Sequence, residues 1–365
     1  MHKNKSLVFQ LLSTAVAIIC LLSMYVFPDF VKKSVLESIQ MCGKTLIPSL
    51  YPFIICTRIC AELIMRTISK TKPCRLPVIN TSPAGLLILI LGLISGFPNG
   101  AYLAGTAYKS GSISKDEATR IMTFSNCISP SFCILVFGSE VMKSKLLGVI
   151  VFLAIICSNL LLFLLSREQK GIKTNEPQRE ICDYKATPIS AIISESLSIM
   201  LVICAYVTVF YCFSALIGKV LTVLFYVPTL VTGYISSLLE ISGGALKLSS
   251  LPFFKRLFMG SLLLSLGGVS AIMQVQNVCL KYGLRFKGFI AKRLLCCVMT
   301  PVFTVIFCCI IGNTAVTKNT FTGIINSIGM YILISILLAV ILKGVYVVII
   351  RILKAKDYKK SKLNF

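Results

Sequence analysis

The stretch Pro83-Ala-Gly-Leu-Leu-Ile-Leu-Ile-Leu-Gly-Leu-Ile-Ser-Gly-Phe-Pro-Asn-Gly-Ala-Tyr-Leu-Ala-Gly-Thr-Ala107 is apolar enough to enter a bilayer, yet Ser95-Gly96-Phe97-Pro98-Asn99-Gly100 interrupts it. Pro98 removes a backbone donor and disfavours helix at Phe97. Gly96 and Gly100 admit backbone angles closed to other residues. Ser95 and Asn99 place polar side chains beside the break. In lipid every backbone N–H and C=O needs a partner, so such an interruption is tolerated only where protein or a wet cavity surrounds it. A half-helix restarting near Gly100 would point its positive end at that place, where an anion is favoured.

The rest of the chain has the same character. Of its 365 residues 56% are hydrophobic and 14% charged, with a mean hydropathy of +0.88. A soluble domain carries about 25% charged residues. The apolar residues run in continuous blocks and do not alternate, which excludes an outer-membrane barrel. The expected fold is an all-α, polytopic transmembrane bundle. Its blocks fall at 7–27, 46–65, 83–107, 118–137, 146–165, 189–217, 220–239, 253–273, 289–311 and 325–350. They predict about ten spans, a count that membrane-dipping hairpins would lower.

The net charge of +24 reads as loop charge obeying the positive-inside rule, and no nucleic-acid partner is expected. Arg66, Lys70, Lys72 and Arg75 form one cytoplasmic cluster; Lys281, Arg285, Lys287, Lys292 and Arg293 form a second, and the tail beyond Arg351 a third. With ten crossings both termini are cytoplasmic and the polar segment 167–187 falls on the opposite side, despite its basic residues. The sixteen cysteines lie mostly inside apolar blocks, without a C-x-x-C, and the sole histidine is His2. A Cys/His metal site is therefore not expected, nor any cofactor. A phosphate-binding P-loop, H-E-x-x-H and G-x-S-x-G are all absent from the sequence, so the chain is not expected to be an enzyme. Arg58 and Glu62, four apart on one helix, are expected to pair with each other.

The two halves echo each other. Ile94-Ser95-Gly96-Phe97 corresponds to Ile241-Ser242-Gly243-Gly244. Each is followed by a second break, Asn126-Cys127-Ile128-Ser129-Pro130 and Gly267-Gly268-Val269-Ser270-Ala271. The organisation that follows is an N-terminal repeat over 1–166, a linker over 167–187, a C-terminal repeat over 188–355 and a basic tail over 356–365. An odd number of spans per half inverts the second repeat, with broken helices or re-entrant hairpins at the paired breaks. Paired breaks in inverted repeats point to a transporter's binding site. The candidate substrate-binding residues are accordingly Ser95, Gly96, Asn99, Gly100, Asn126, Ser129, Ser242, Gly243, Gly244, Gly267, Gly268, Ser270, Gln274 and Gln276. Gly105, Gly148 and Gly260 are read as helix-packing glycines.

Glu240 directly precedes the Ser242-Gly243-Gly244 break. Burial and a neighbouring anionic substrate both disfavour a charged carboxylate, and intramembrane carboxylates serve in proton relays. Glu240 is thus the candidate ion-coupling residue, with H⁺ or Na⁺ as the ion. An interfacial carboxylate facing headgroups is the competing reading.

Several stretches of the chain resemble one known family. Gly92-Leu-Ile-Ser-Gly-Phe-Pro-Asn-Gly-Ala101, Asp116-Glu-Ala-Thr-Arg120 and Phe124-Ser-Asn-Cys-Ile-Ser-Pro-Ser-Phe132 resemble the signature of the YlbJ-type (SpoVV) sporulation integral membrane proteins. Leu239-Glu-Ile-Ser-Gly-Gly-Ala-Leu-Lys-Leu-Ser249 and Leu266-Gly-Gly-Val-Ser-Ala-Ile-Met-Gln-Val-Gln276, with Arg285-Phe286-Lys287, resemble its second-half segments. That family belongs to a wider group with a nucleoside-recognition gate domain, distantly similar to concentrative nucleoside transporters. The resemblance implies a membrane protein of a spore-forming bacterium, in the cell membrane or the outer forespore membrane, that moves dipicolinic acid toward the forespore. Asn99, where the family has a small residue, leaves another substrate open. The functional expectation is secondary transport of a small organic anion, dipicolinate first. A nucleoside-like solute and a non-transporting scaffold of spore-envelope assembly are the alternatives. The lipid bilayer is the expected surrounding, and self-association is left open.

Overall fold

The computed structural model describes residues 18, 21, 22, 24–68, 79–166 and 187–311. The blocks 7–27 and 325–350 and the basic tail, and with them the placement of both termini, lie wholly or mostly outside the described residues. The described chain is helical. Helix α1 (Pro28–Met41) runs through a π-helical turn at Cys42–Leu46 into α2 (Ile47–Ile68), and α3 spans Pro83–Ser95. Then come α4 (Asn99–Lys109), α5 (Lys115–Ser125), a π-helical segment α6 (Phe132–Val141) and α7 (Lys145–Leu165). The second half holds α8 (Ile189–Phe225), α9 (Thr229–Leu239), α10 (Ile241–Lys247), α11 (Phe253–Leu266), α12 (Gly268–Tyr282) and α13 (Phe289–Ile311).

Length separates the helices that cross from those that do not. Five helical stretches are long and apolar enough to span a bilayer: Pro28–Leu63, Lys145–Leu165, Ile189–Val223, Phe253–Tyr282 and Phe289–Ile311. By contrast α3 has 13 residues, about 20 Å at 1.5 Å per residue, which is short of a core about 30 Å thick. It turns back instead. A Cβ on Gly92 of α3 would lie 2.9 Å from Gly100 Cα of α4, so the two helices pack antiparallel as a re-entrant hairpin with Gly96-Phe97-Pro98 at its tip. Ser82 caps α3 by accepting from Gly85 N at 3.0 Å, with Pro83 at the first helical position. Glu117, at the start of α5, accepts from Ser82 N at 2.6 Å and from Thr81 Oγ1 at 2.8 Å. Farther along, Cys127 Sγ donates to Leu93 O at 3.0 Å. Helices α3 and α5 therefore run side by side in the same direction, and α5 continues past the break at 126–130 into α6.

The second half repeats the order upside down. Gly244 of α10 packs against the backbone of Ser237 in α9, which makes α9–α10 a second hairpin, with Glu240 at its tip. Arg256, early in α11, donates to Val141 O at the end of α6 at 2.9 Å. Arg285, beyond α12, pairs with Asp116 of α5 at 3.1 Å. The second broken crossing, α11–α12, thus starts on the face where the first one ends. Each half reads long crossing, hairpin, broken crossing, crossing: α1–α2, α3–α4, α5–α6, α7, then α8, α9–α10, α11–α12, α13. The described residues hold six crossings and two hairpins. The apolar blocks at 83–107 and 220–239, expected as spans, are the first hairpin and the end of α8 plus the first arm of the second hairpin.

The halves clasp along their long helices. Thr187 N donates to Glu62 at 2.7 Å, Arg58 pairs with Glu195, and Tyr211 OH donates to Glu37 at 3.0 Å. Arg58 is therefore held by α8 and not by Glu62, as its own helix had suggested. These contacts also correct the sidedness. Glu62 and Thr187 mark one level, so α8 begins on the face where α2 ends. Phe163, near the end of α7, accepts at 2.8 Å from Arg120 of α5, which also donates to Ile79 O and Asn80 O just before α3, so α7 ends on that face too. The connection from α7 to α8, with its basic residues, starts and finishes on the face where α2 ends, beside Arg66 in its last turn, where charge statistics favour it. We call this the basic face. Gly105, Gly148 and Gly260 would direct a Cβ into Tyr282, the Cys133–Ile134 backbone and Phe137, which is close helix packing.

In variants keeping Cys74 or Cys182 as the sole cysteine, both thiols are expected to react with a membrane-impermeant maleimide from the same side of the membrane. Labelling from opposite sides would exclude this topology.

Candidate functional site

Both hairpin tips and both helix breaks meet in the middle of the bundle. Gly96 adopts φ 85° and would place a Cβ 3.0 Å from Ser129 Cβ, so the first tip touches the first break. Gly267 and Gly268 adopt φ 80° and 79°, which only glycine takes without strain. A Cβ on Gly267 would lie 2.6 Å from the Phe97 ring; one on Gly268 would lie 3.3 Å from the carbonyl oxygens of Leu238 and Leu239. The second break therefore touches both tips. Between them lies a cavity of about 50 Å³, lined by Phe97, Ser129, Glu240, Ser242, Gly267, Ser270 and Gln274 and closed by aliphatic side chains of the long helices, Leu50 and Val207 among them. It has room for a few waters or an ion, whereas organic ligands occupy about 300–1,000 Å³. At this volume the cavity does not admit a dicarboxylate.

Of the residues predicted from sequence, Ser129, Ser242, Gly267, Ser270 and Gln274 line this cavity together with Glu240. Gly96 and Gly268 shape it by close approach, and Gly244 holds the second hairpin together. The others are placed elsewhere. Ser95 Oγ donates back to Gly92 O at 3.2 Å. Gly100 packs on Ser125. Asn126 is spent on structure: its Oδ1 accepts from Ala101 N at 3.1 Å, capping α4, and its Nδ2 donates to Met122 O at 2.5 Å. Asn99 Nδ2 donates to Thr57 Oγ1 at 2.8 Å, tying the hairpin to α2, while its buried Oδ1 has no partner. Gly243 faces away from the cavity, against the Tyr211 ring. Gln276 is exposed, because two residues on a helix turn through about 200° from Gln274.

Glu240 is 2% exposed, so it is not an interfacial carboxylate. It accepts from Gly243 N at 2.8 Å as the N-cap of α10, an arrangement that the positive end of a helix favours. Helices α6 and α12 also begin at the cavity, and Ser129 Oγ accepts from Phe132 N at 3.3 Å. Their N-terminal ends face one another across the site, one from each half.

Sequence reading missed Arg293. Counted with the basic loop cluster, it lies one turn inside α13 and is 1% exposed. Its guanidinium donates to Asn126 O at the first break, to Ser265 O beside the second at 3.3 Å and to Asn159 Oδ1 of α7 at 3.4 Å. It also lies 5.2 Å from the centre of the Phe97 ring, within cation–π range. Among the described residues it forms no ion pair. Carbonyls at the C-terminal ends of α5 and α11 carry partial negative charge, and the guanidinium fork reaches both. Behind it Thr300 Oγ1 bonds Ser265 Oγ at 2.9 Å and Ser158 Oγ at 3.1 Å. Arg293→Met leaves two break carbonyls unpaired, each at a cost of about 1–3 kcal/mol of stability, read as a lower unfolding temperature of the purified protein in detergent. An unchanged unfolding temperature would show that the breaks hold without it.

No family model and no solved structure matches the chain. The sporulation integral membrane protein YlbJ of Bacillus subtilis (strain 168) is 25% identical over 309 residues, which cover 73% of this chain and 75% of that protein. The resemblance to the YlbJ-type sporulation integral membrane proteins therefore holds over most of the chain, and with it the reading of this chain as a multi-pass integral membrane protein.

Proposed function

We propose that the chain is a secondary transporter of a small organic anion, dipicolinate first, acting in the cell membrane or outer forespore membrane of a spore-forming bacterium. The observation that supports this most is the meeting of two hairpin tips and two helix breaks, from inverted halves, around one small, mostly apolar cavity that carries Ser129, Glu240, Ser242, Ser270 and Gln274 on its wall. Broken helices with inward-facing ends are how such folds bind substrate at mid-membrane. The N-terminal ends of α6 and α12 bring the positive ends of two helices to the cavity, one from each half, and the hydroxyls of Ser129, Ser242 and Ser270 and the amide of Gln274 add polar groups to its wall. Admission of a dicarboxylate requires the tips to part, which closed hairpins packed through glycine can do as rigid arms.

Glu240 couples the cycle to protons in this proposal. Its carboxylate already occupies a helix N-terminus, so an arriving anion and the carboxylate compete for the same positive end. Protonation of Glu240 relieves that competition, and release of substrate restores the cap. Glu240→Gln keeps an acceptor for Gly243 N and loses the proton. The expected outcome in proteoliposomes is retained dipicolinate binding with uptake that no longer responds to an imposed pH gradient. A variant that follows the gradient like the parent removes Glu240 from the coupling.

A nucleoside-like solute is the second reading, favoured by the lack of any Lys or Arg among the residues lining the cavity. Uptake of labelled dipicolinate and of uridine by the same vesicles separates the two, and a membrane scaffold takes up neither. Ser270→Leu fills the cavity from the α12 side and is expected to lower uptake at least ~10-fold while the protein still accumulates in the membrane. Normal uptake by this variant would place the substrate elsewhere.

A further inference from the structure

A second, larger cavity of about 430 Å³ opens away from the basic face, between α1, the end of α8 and the second hairpin. Lys33, Lys219 and Lys247 line it, with Glu37, Phe30 and Tyr211. Three ammonium groups stand against one carboxylate, and that carboxylate already accepts from Tyr211 OH at 3.0 Å. Lys219 lies 4.4 Å from the centre of the Phe30 ring, and Lys247 Nζ donates to Ser236 Oγ at 3.0 Å, so two of the cations are held in place. The volume falls in the range of organic-ligand sites. Gly243 forms part of the same wall, one residue from Ser242 in the central cavity, so only the start of α10 separates the two spaces.

The inverted repeat supplies a counterpart. A cavity of about 290 Å³ lies at the basic face between the end of α2, the start of α8 and α4, the second arm of the first hairpin. Its charges are Arg58, Lys109, Glu62 and Glu195, two of each sign, and Arg58 is paired with Glu195. Equivalent places in the two halves thus differ in electrostatics: one is balanced, the other carries an excess of positive charge. Balanced, internally paired walls have little attraction for an anion. Three lysines facing one carboxylate, with one of them over an aromatic ring, leave an excess of positive charge that attracts an anion.

We propose that the lysine cavity between α1, α8 and the second hairpin is a binding site for a small organic anion, an aromatic or otherwise apolar body carrying carboxylate or phosphate groups, held before it reaches the central site. The ligand class is that of the transport reading, but the site is separate and is tested without transport. The ammonium groups take the anionic groups, and Phe30 and Tyr211 pack on the apolar body. An anionic phospholipid headgroup offers the same charge and is the competing source.

The test uses the full-length protein in nanodiscs of zwitterionic phosphatidylcholine. Lysines are acetylated with a water-soluble N-hydroxysuccinimide ester and read by mass spectrometry, with pyridine-2,6-dicarboxylate or the neutral pyridine-2,6-dimethanol present. The dicarboxylate is expected to slow acetylation of Lys33, Lys219 and Lys247 at least ~3-fold and to leave Lys109 and Lys281 unchanged, while the neutral diol protects none. In the Lys219→Gln/Lys247→Gln variant the protection of Lys33 is expected to need about tenfold more ligand. Uniform protection of all lysines, or none, overturns the proposal. Protection that appears only when phosphatidylglycerol is added to the disc overturns it in favour of a lipid headgroup. Protection that survives in Ser270→Leu supports a site separate from the central cavity, and its loss there overturns that separation. Protection in a parent protein that takes up no dicarboxylate leaves this site standing and removes the transport reading, whereas uptake without protection does the reverse.

Discussion

A backbone interrupted at mid-membrane must find partners for the carbonyls and amides that the lost helical turns leave behind, and most of this fold serves that requirement. Arg293 donates to a carbonyl at each break, Asn126 O and Ser265 O. Asn126 caps α4 through its side chain, and Glu240 caps α10. The breaks in the two halves are thereby joined through one guanidinium on a third element, α13. Burial of an unpaired cation is costly in general. Here helix C-termini supply the compensating negative potential, and the Phe97 ring covers the charge on the side of the cavity. The closed site and the buried cation are consequences of one arrangement, because Phe97 packs on Gly267 as well.

Where a polar group sits relative to these breaks decides what remains for a ligand. Asn126 and Ser95 were attractive from sequence because amides and hydroxyls at depth need partners, but each finds one within its own half. Ser129, Ser242 and the α12 pair Ser270 and Gln274 face the centre from three places, and Gln274 Nε2 reaches Ser270 Oγ only at 3.3 Å. Their capacity is less completely used by the protein, which is what a binding surface requires.

The breaks were legible in the sequence because Gly, Pro, Ser and Asn are conspicuous inside apolar blocks: Ser95–Gly100 marks a hairpin tip, and Gly267-Gly268 an interrupted helix. Hairpins and crossings were not separable, because an apolar block of a given length fits either and only packing between its arms decides. The position of Gly92 on Gly100 and of Gly244 on Ser237 carries that information, and it is non-local. Arg293 was hidden by its neighbours, since it directly follows Lys292 and the basic residues around the loop before α13, while its own position on the first turns of α13 faces inward. Helical periodicity alone separates Gln274 from Gln276, so that misassignment was avoidable. The sidedness of the segment between α7 and α8 followed from span parity, and the first hairpin, counted as a crossing, was enough to invert it.

Inverted repeats impose near-equivalence on the two faces of the bundle, and departures from it are where the two sides of a cycle can differ. The Arg58–Glu195 pair joins α2 to α8 at the basic face, and the Glu37–Tyr211 bond joins α1 to α8 at the opposite face. Each stands beside the second arm of one hairpin, α4 or α10, and each borders its own cavity. The first is an ion pair between a largely buried Arg58 and an exposed Glu195; the second is a hydrogen bond with one charged partner. An anion entering the lysine cavity competes with Glu37 for the same cations and loosens the contact beside α10, the helix whose N-terminus Glu240 caps. No equivalent competition exists at the basic face, where Arg58 is already matched by a carboxylate. The asymmetry of the two faces therefore resides in side chains placed on a common backbone plan.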